Sequence, residues 1–233
     1  MDLRSSSVPE LDYTPAYKRY VLAMLTLVYA FNFIDRQILV ILQESIKADM
    51  GFSDAQLGLL SGFSFALVYV TVGIPIAYLA DRSNRRNIIV TALSVWSAMT
   101  ALSGLAQNYI HLVLARIGVA LGEAGGSPPA HSIISDYYPY EQRGTALSIY
   151  SAGIYVGILL GFLFGGVTAE LYGWRAAFFI MGIPGIFFAL IFKMTVKEPI
   201  RGRWEQKDGE AKKHPRFGDT VAILRQLPTF WYL

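Results

Sequence analysis

The chain has 233 residues, 54% of them hydrophobic and 16% charged, with a net charge of +3 and no cysteine. Soluble domains carry roughly 25% charged residues, so this composition, with a mean hydropathy of +0.41, points to a membrane protein. Disulfides and thiolate metal sites are excluded, and the charge excess is too small to suggest a nucleic-acid partner.

The N-terminal tail, 1–17, is polar and has no short apolar core followed by a cleavage site, so it reads as a cytoplasmic tail rather than a signal peptide. Six apolar runs follow, at about 20–42, 55–80, 88–106, 110–135, 146–169 and 176–194. Each is long enough for the roughly 20 residues that a spanning helix needs. They predict an all-α membrane protein with a six-helix transmembrane bundle over 18–196. Residues 197–226 are charged, contain Pro and Gly, and read as a cytoplasmic linker. LPTFWYL, 227–233, reads as the start of a truncated seventh helix, so the chain is expected to be half of a longer protein.

Positive charge sets the expected orientation. Arg4, Lys18 and Arg19 precede the first run. Arg82, Arg85 and Arg86 follow the second, and Arg143 follows the fourth. The linker adds Lys197, Arg201, Arg203, Lys207, Lys212, Lys213 and Arg216, whereas the opposite loops carry only Lys47 and Arg175. The Lys/Arg-rich side is the cytoplasmic one, which places the N-terminus inside a multi-pass protein of the plasma (inner) membrane.

Glycine spacing bears on packing. Gly153, Gly157, Gly161 and Gly165 recur every four residues, as do Gly118, Gly122 and Gly126, and Gly58, Gly62 and Ala66. Such stripes lie along one helix face and let a neighbouring backbone approach closely. They predict a tight bundle and name no substrate.

Four ionisable residues stand inside the apolar runs: Asp35, Arg36, Arg116 and Glu123. Each costs about 2.5–3.5 kcal/mol at mid-membrane on the insertion scale, so they are expected to face the bundle interior or water and to pair. If the first helix ends near Gln43, Asp35 and Arg116 both lie about 12 Å below the same end and are expected to pair. Glu123 lies about 10 Å deeper than Arg116 on the same face. An acid in low dielectric is costly in its charged form, the condition a proton-coupling site needs. Glu123 and Asp35 are therefore the expected proton carriers. Arg36 suits a fixed anion such as a phosphate or carboxylate, and Arg116 holds the acid. The bland reading makes all four a static internal network.

The loop YLADRSNRRNI resembles the signature of the major facilitator superfamily between its second and third helices. The family pattern has glycine where this chain has Ala77 and Asn84. LARIGVALGEAGGSPPAHSIISDYYPYEQRGTALS resembles the fourth helix and following loop, with Arg116 at the family's fourth-helix arginine and Glu141 and Arg143 in its short loop. GWRAAF and KEPIRGR resemble the start of the sixth helix and the segment after it. NFIDRQIL, DRSNRR and GEAGGSPPAHSIISD look most like the spinster-like branch.

The resemblance implies the N-terminal half of a twelve-helix secondary transporter working by alternating access, with a C-terminal six-helix half as partner. For that branch it implies an anionic amphiphile, such as a sphingoid phosphate or lysophospholipid, moved in some cases with protons. It places Asp35, Arg36 and Glu123 at functional positions. Arg36 and Arg116 are the expected substrate-binding residues. The GEA-containing stretch also resembles symporters of small organic anions. Position 158 is Ile where an antiporter signature has proline. Asp81, Arg82, Arg85, Arg86 and Arg143 are the expected gate, with Asp81 bonding Arg143. No cofactor or metal is expected.

Two rivals come from other classes. An intramembrane serine protease would use Ser127 and His131, four apart, but Pro128 and Pro129 between them kink the helix. A non-transporting scaffold would leave the buried charges without a role. Trp96 and the many aromatics are assigned none.

Overall fold

The computed structural model describes residues 13–204 and Gln226. Arg4, Lys207, Lys212, Lys213, Arg216 and the expected seventh-helix start at 227–233 lie outside the described residues.

The first helix, α1, is Pro15–Met50. Thr14 caps it by accepting from the Tyr17 amide, Pro15 occupies the first turn, and Gly51, at φ 70°, ends it. Its 36 residues reach beyond the expected end at Leu42. The charged last turns, with Glu44 and Lys47, continue the helix past the roughly 30 Å hydrocarbon core. The second, α2, is Asp54–Ala80. Ser53 and Gln56 form a reciprocal capping box at its start. A π turn at Leu59–Phe63 interrupts its hydrogen-bond ladder, and Pro75 sits inside it. The third, α3, is Arg85–Ser103, capped by the Asn84 side chain on the Asn87 amide.

The fourth apolar run is not one helix. It divides into α4, Tyr109–Glu123, and α5, Ser127–Tyr137. Gly125 and Gly126 loosen the backbone there, and Pro128 and Pro129 lack the amides that would continue the ladder. The last helical stretch, Tyr140–Thr195, is broken at Gly173, whose φ of 81° and ψ of 164° are non-helical. We label its parts α6, 140–172, and α7, 174–195. The described residues thus form six spanning segments, with α4 and α5 in series making the fourth.

Small residues set the closest contacts. The α6 stripe packs on α1: a Cβ at Gly153 would come within 2.5 Å of the Thr26 carbonyl oxygen, and one at Gly165 within 2.8 Å of Ile38. Gly122 of α4 lies against the Trp96 and Ala92 backbone of α3, and Gly182 of α7 against that of Ser97 and Ala101. The α2 stripe behaves differently. Nothing lies within 4 Å of a Cβ at Gly58 or Gly62. α2 rests mainly on α4, and its other face is bare.

Two apolar cores are stacked along the bundle. One joins Leu25, Val28, Leu93, Trp96, Val119 and Phe192 near the end that carries Arg19, Arg82 and Arg143, called here the basic end. The other joins Ile38, Leu42, Leu60, Leu112 and Phe178 toward the far end. At the far end Arg175 binds Asp49 at 2.5 Å, Trp174 Nε1 donates to the same carboxylate at 3.1 Å, and Lys47 pairs with Asp54.

The chain divides into two compact units, Met1–Pro199 and Ile200–Leu233. The bundle belongs to the first. In the second, residues 201–204 form a turn with the Arg203 guanidinium 5.4 Å from the Trp204 ring.

Candidate functional site

The four charges inside the spanning helices gather where the two cores meet. Ile34 precedes Asp35 in the far core, while Arg116 and Glu123 bracket Val119 of the near one. Arg116 and Glu123 are seven residues apart, two turns of α4, so they share a face toward α1.

Arg36 Nε donates to Glu123 Oε2 at 2.6 Å, joining α1 to α4. The guanidinium is also ringed by aromatics: Phe33 at 5.3 Å, and Phe65 and Tyr69 at 5.0 Å each. Phe65 and Tyr69 stack on each other one turn apart on α2. Cation–π attraction is worth about 0.5–2 kcal/mol per contact, more when water is excluded. Glu123 is wholly buried, whereas 30% of the Arg36 side chain stays exposed. The cluster therefore has one accessible face, and Arg36 holds it.

The expected Asp35–Arg116 ion pair is not formed. Arg116 Nη1 donates instead to the Asp35 backbone carbonyl at 3.2 Å. The two residues are level, as expected, although α1 runs on to Met50; the Asp35 carboxylate itself makes no bond to the guanidinium. Both Asp35 oxygens, Arg116 Nε and Glu123 Oε1 are buried without a hydrogen-bond partner among the described residues. The Thr100 hydroxyl of α3 is likewise buried.

The basic end carries a second charge assembly. Arg85 is buried and binds Asp136 of α5, Ser132 at 2.7 Å and Glu198 at 2.7 Å. Glu198 also accepts from the Arg86 amide at 2.8 Å. Three separate stretches of chain are tied by one guanidinium. The expected Asp81–Arg143 bond is absent. Arg143 donates to the carbonyls of Ser135 at 2.8 Å and Tyr138 at 3.2 Å, closing the end of α5, and lies 4.0 Å from the Tyr140 ring. Asp81 is exposed at the end of α2, and Arg82 lies 3.8 Å from the Tyr78 ring.

Sequence reasoning missed Asp136, Glu198 and the aromatic ring around Arg36. The i, i+4 spacing of Phe65 and Tyr69 was the available signal. Ser127 and His131 make no hydrogen bond to each other; His131 sits edge-on to Tyr150 at 5.3 Å, which in turn stacks on Tyr29 at 4.4 Å. No His/Cys/Asp/Glu cluster suited to a metal occurs among the described residues.

Spanning helices packed through glycine stripes, with opposite charges gathered between two cores, define a polytopic membrane protein of carrier type. The chain belongs to the Major Facilitator Superfamily, which it matches over residues 25–233. The members of that family are transporters, not enzymes. A crystal structure of a bacterial homolog of the human lysosomal transporter spinster, inward-facing and unoccupied, superposes with a TM-score of 0.80. It is 41% identical, and the match covers 94% of this chain and 51% of that one. An MFS-type efflux pump of Mycolicibacterium smegmatis is 36% identical over 74% of this chain and 40% of its own length. GudP of Bacillus subtilis, named a probable galactarate/D-glucarate transporter, is 32% identical over 91% of this chain and 47% of its own. The chain spans about half the length of the relatives it matches, their N-terminal portion.

Proposed function

We propose that this chain forms the N-terminal half of a proton-coupled secondary transporter for an anionic amphiphile, such as a sphingoid phosphate or lysophospholipid. The observation that carries the reading is the Arg36–Glu123 pair, open on one side and walled by aromatics. Arg36 cannot neutralise itself, so a substrate phosphate competes with Glu123 for it. Once displaced, Glu123 is a buried carboxylate without a counter-charge, which costs about 3–5 kcal/mol. A proton on Glu123 removes that cost. Anion binding and proton binding therefore favour each other, the requirement for symport. Phe33, Phe65 and Tyr69 supply apolar surface next to the headgroup site. Asp35 is the second proposed proton site, and Arg116 anchors the α1 backbone at its level.

Alternating access needs an opposite wall, which we assign to a C-terminal six-helix half. The bare face of α2, with Gly58 and Gly62, suits such a partner. The Arg85 tie and the Asp81–Arg86 loop are proposed to brace the gate at the basic end, taken as cytoplasmic by the positive-inside rule. Arg143 serves that gate by fixing the end of α5.

The test uses the full-length protein in proteoliposomes. Glu123→Gln should abolish pH-gradient-driven uptake of a lysophospholipid while leaving substrate exchange. Undiminished gradient-driven uptake would remove Glu123 from the proton path. A second reading, symport of small carboxylates, is favoured by the likeness to GudP. A parallel uptake assay with galactarate separates the two.

A further inference from the structure

His131 stands on α5, within the fourth spanning segment, and its side chain is exposed. A polar ring turned toward lipid tails is costly, so an exposed imidazole at this depth faces a water-filled or protein-lined space. Ring contacts tie it to the Arg36 cluster. The imidazole sits edge-on to Tyr150 of α6 at 5.3 Å. Tyr150 is 1% exposed and stacks on Tyr29 of α1 at 4.4 Å and 7°. Tyr29 meets Phe33 edge to face at 5.2 Å, and the Phe33 ring lies 5.3 Å from the Arg36 guanidinium. Tyr29, Phe33 and Arg36 recur at helical spacing, so they share one face of α1 and cover about 10 Å along it. The aromatic row runs from an accessible cation to an accessible imidazole, and the packed tyrosine pair fixes where the imidazole stands.

We propose that His131 is a specificity-determining residue of the Arg36 site, hydrogen-bonding a hydroxylated part of the substrate while Arg36 holds the anion. The inference rests on the transport reading and adds a second contact to it. The groups around the imidazole are uncharged: Tyr150 from α6, Tyr29 behind it from α1, and Ser127 one turn earlier on α5. Among the described residues no acid is placed to hold an imidazolium there. An uncharged imidazole carries one donor and one acceptor, the pairing that a hydroxyl offers in return. This end of the row therefore selects for hydroxyls and not for a second anion. Two sources carry hydroxyls beside an anion: the polyol headgroup of a lysophospholipid and the chain of a sugar acid. A site that hydrogen-bonds a substrate hydroxyl disfavours the analogue lacking it, because its own polar group is then left unpaired.

The test titrates the full-length protein, by microscale thermophoresis, with two matched pairs. Lysophosphatidylglycerol is set against lysophosphatidylpropanol of the same acyl chain, and galactarate against adipate. Each pair keeps charge and carbon skeleton and differs in hydroxyls. In the pair that binds, the hydroxylated member should bind several-fold more tightly, and which pair binds identifies the source of the hydroxyls. His131→Phe keeps a ring against Tyr150 and removes both nitrogens. It should weaken the hydroxylated member alone and bring the ratio close to one. Equal binding of the two members by wild type, which needs no variant to fold, overturns the proposal, as does a preference that survives His131→Phe. Binding of neither pair would remove the anion site at Arg36 and this inference with it, whereas binding without preference removes this inference only.

Discussion

Arg36 is held by one carboxylate and three aromatic faces, and these contacts differ in what they ask of the cation. A lysine would keep the charge but lose the planar fork and the stacking. Arg36→Lys should therefore weaken binding of an anionic lysolipid by roughly tenfold or more, equivalent to about 1.4 kcal/mol, as read by isothermal titration calorimetry on the full-length protein. Glu123→Gln has the opposite sign, because it removes the competitor. That variant should bind the anion more tightly than wild type and lose the pH dependence of its affinity. At the basic end, Arg85→Met removes the guanidinium that binds both Asp136 and Glu198. A broken buried pair costs about 3–5 kcal/mol, so the variant should show a markedly lower thermal midpoint. That such charges matter was legible in the sequence, since a charge in an apolar run has few cheap explanations. Who meets whom was not, because pairing depends on helix rotation and on how far each helix continues past the bilayer.

Helix packing follows the small residues where a neighbour is present. The α6 stripe was read as a close-approach face, and the Thr26 carbonyl lies against Gly153. Gly153→Leu should force α1 from α6 and lower the thermal midpoint, whereas Gly62→Leu, where a Cβ meets nothing within 4 Å, should leave this half-bundle's stability unchanged. The α2 stripe shows why the same pattern misled as a sign of packing: spacing identifies a face, not its occupant. The break between α4 and α5 was partly legible, since paired prolines end a hydrogen-bond ladder. The π turn in α2 left no periodicity to read. At the far end, Arg175 and Trp174 hold the Asp49 carboxyl below its ordinary value, the Arg175 hydrogen bond being the larger cause. A lowered carboxyl contributes stability above its unfolded value of about 3.9, and loses it as the pH falls through the folded value. The difference in thermal midpoint between wild type and Asp49→Asn should accordingly be present at neutral pH and vanish on strong acidification. A difference that does not change with pH would show that this clamp is not electrostatic.

For the whole molecule, family and fold were legible because the superfamily motifs lie in loops and helix ends spread along the chain, and the structure superposes on a spinster homolog over most of its length. The substrate was not legible. The proposed site offers a cation, a carboxylate and aromatic faces that suit several anions. Residues 1–233 alone, reconstituted in liposomes, should give no saturable flux, because they supply one side of the proposed passage. The account stands on competition between Glu123 and the substrate anion for Arg36. The most direct test is calorimetric titration of the full-length protein with a lysophospholipid in buffers of different ionisation enthalpy, which counts protons exchanged on binding. Wild type should take up close to one proton per anion bound, and Glu123→Gln none. No proton uptake by wild type, or the same uptake in the variant, would contradict it.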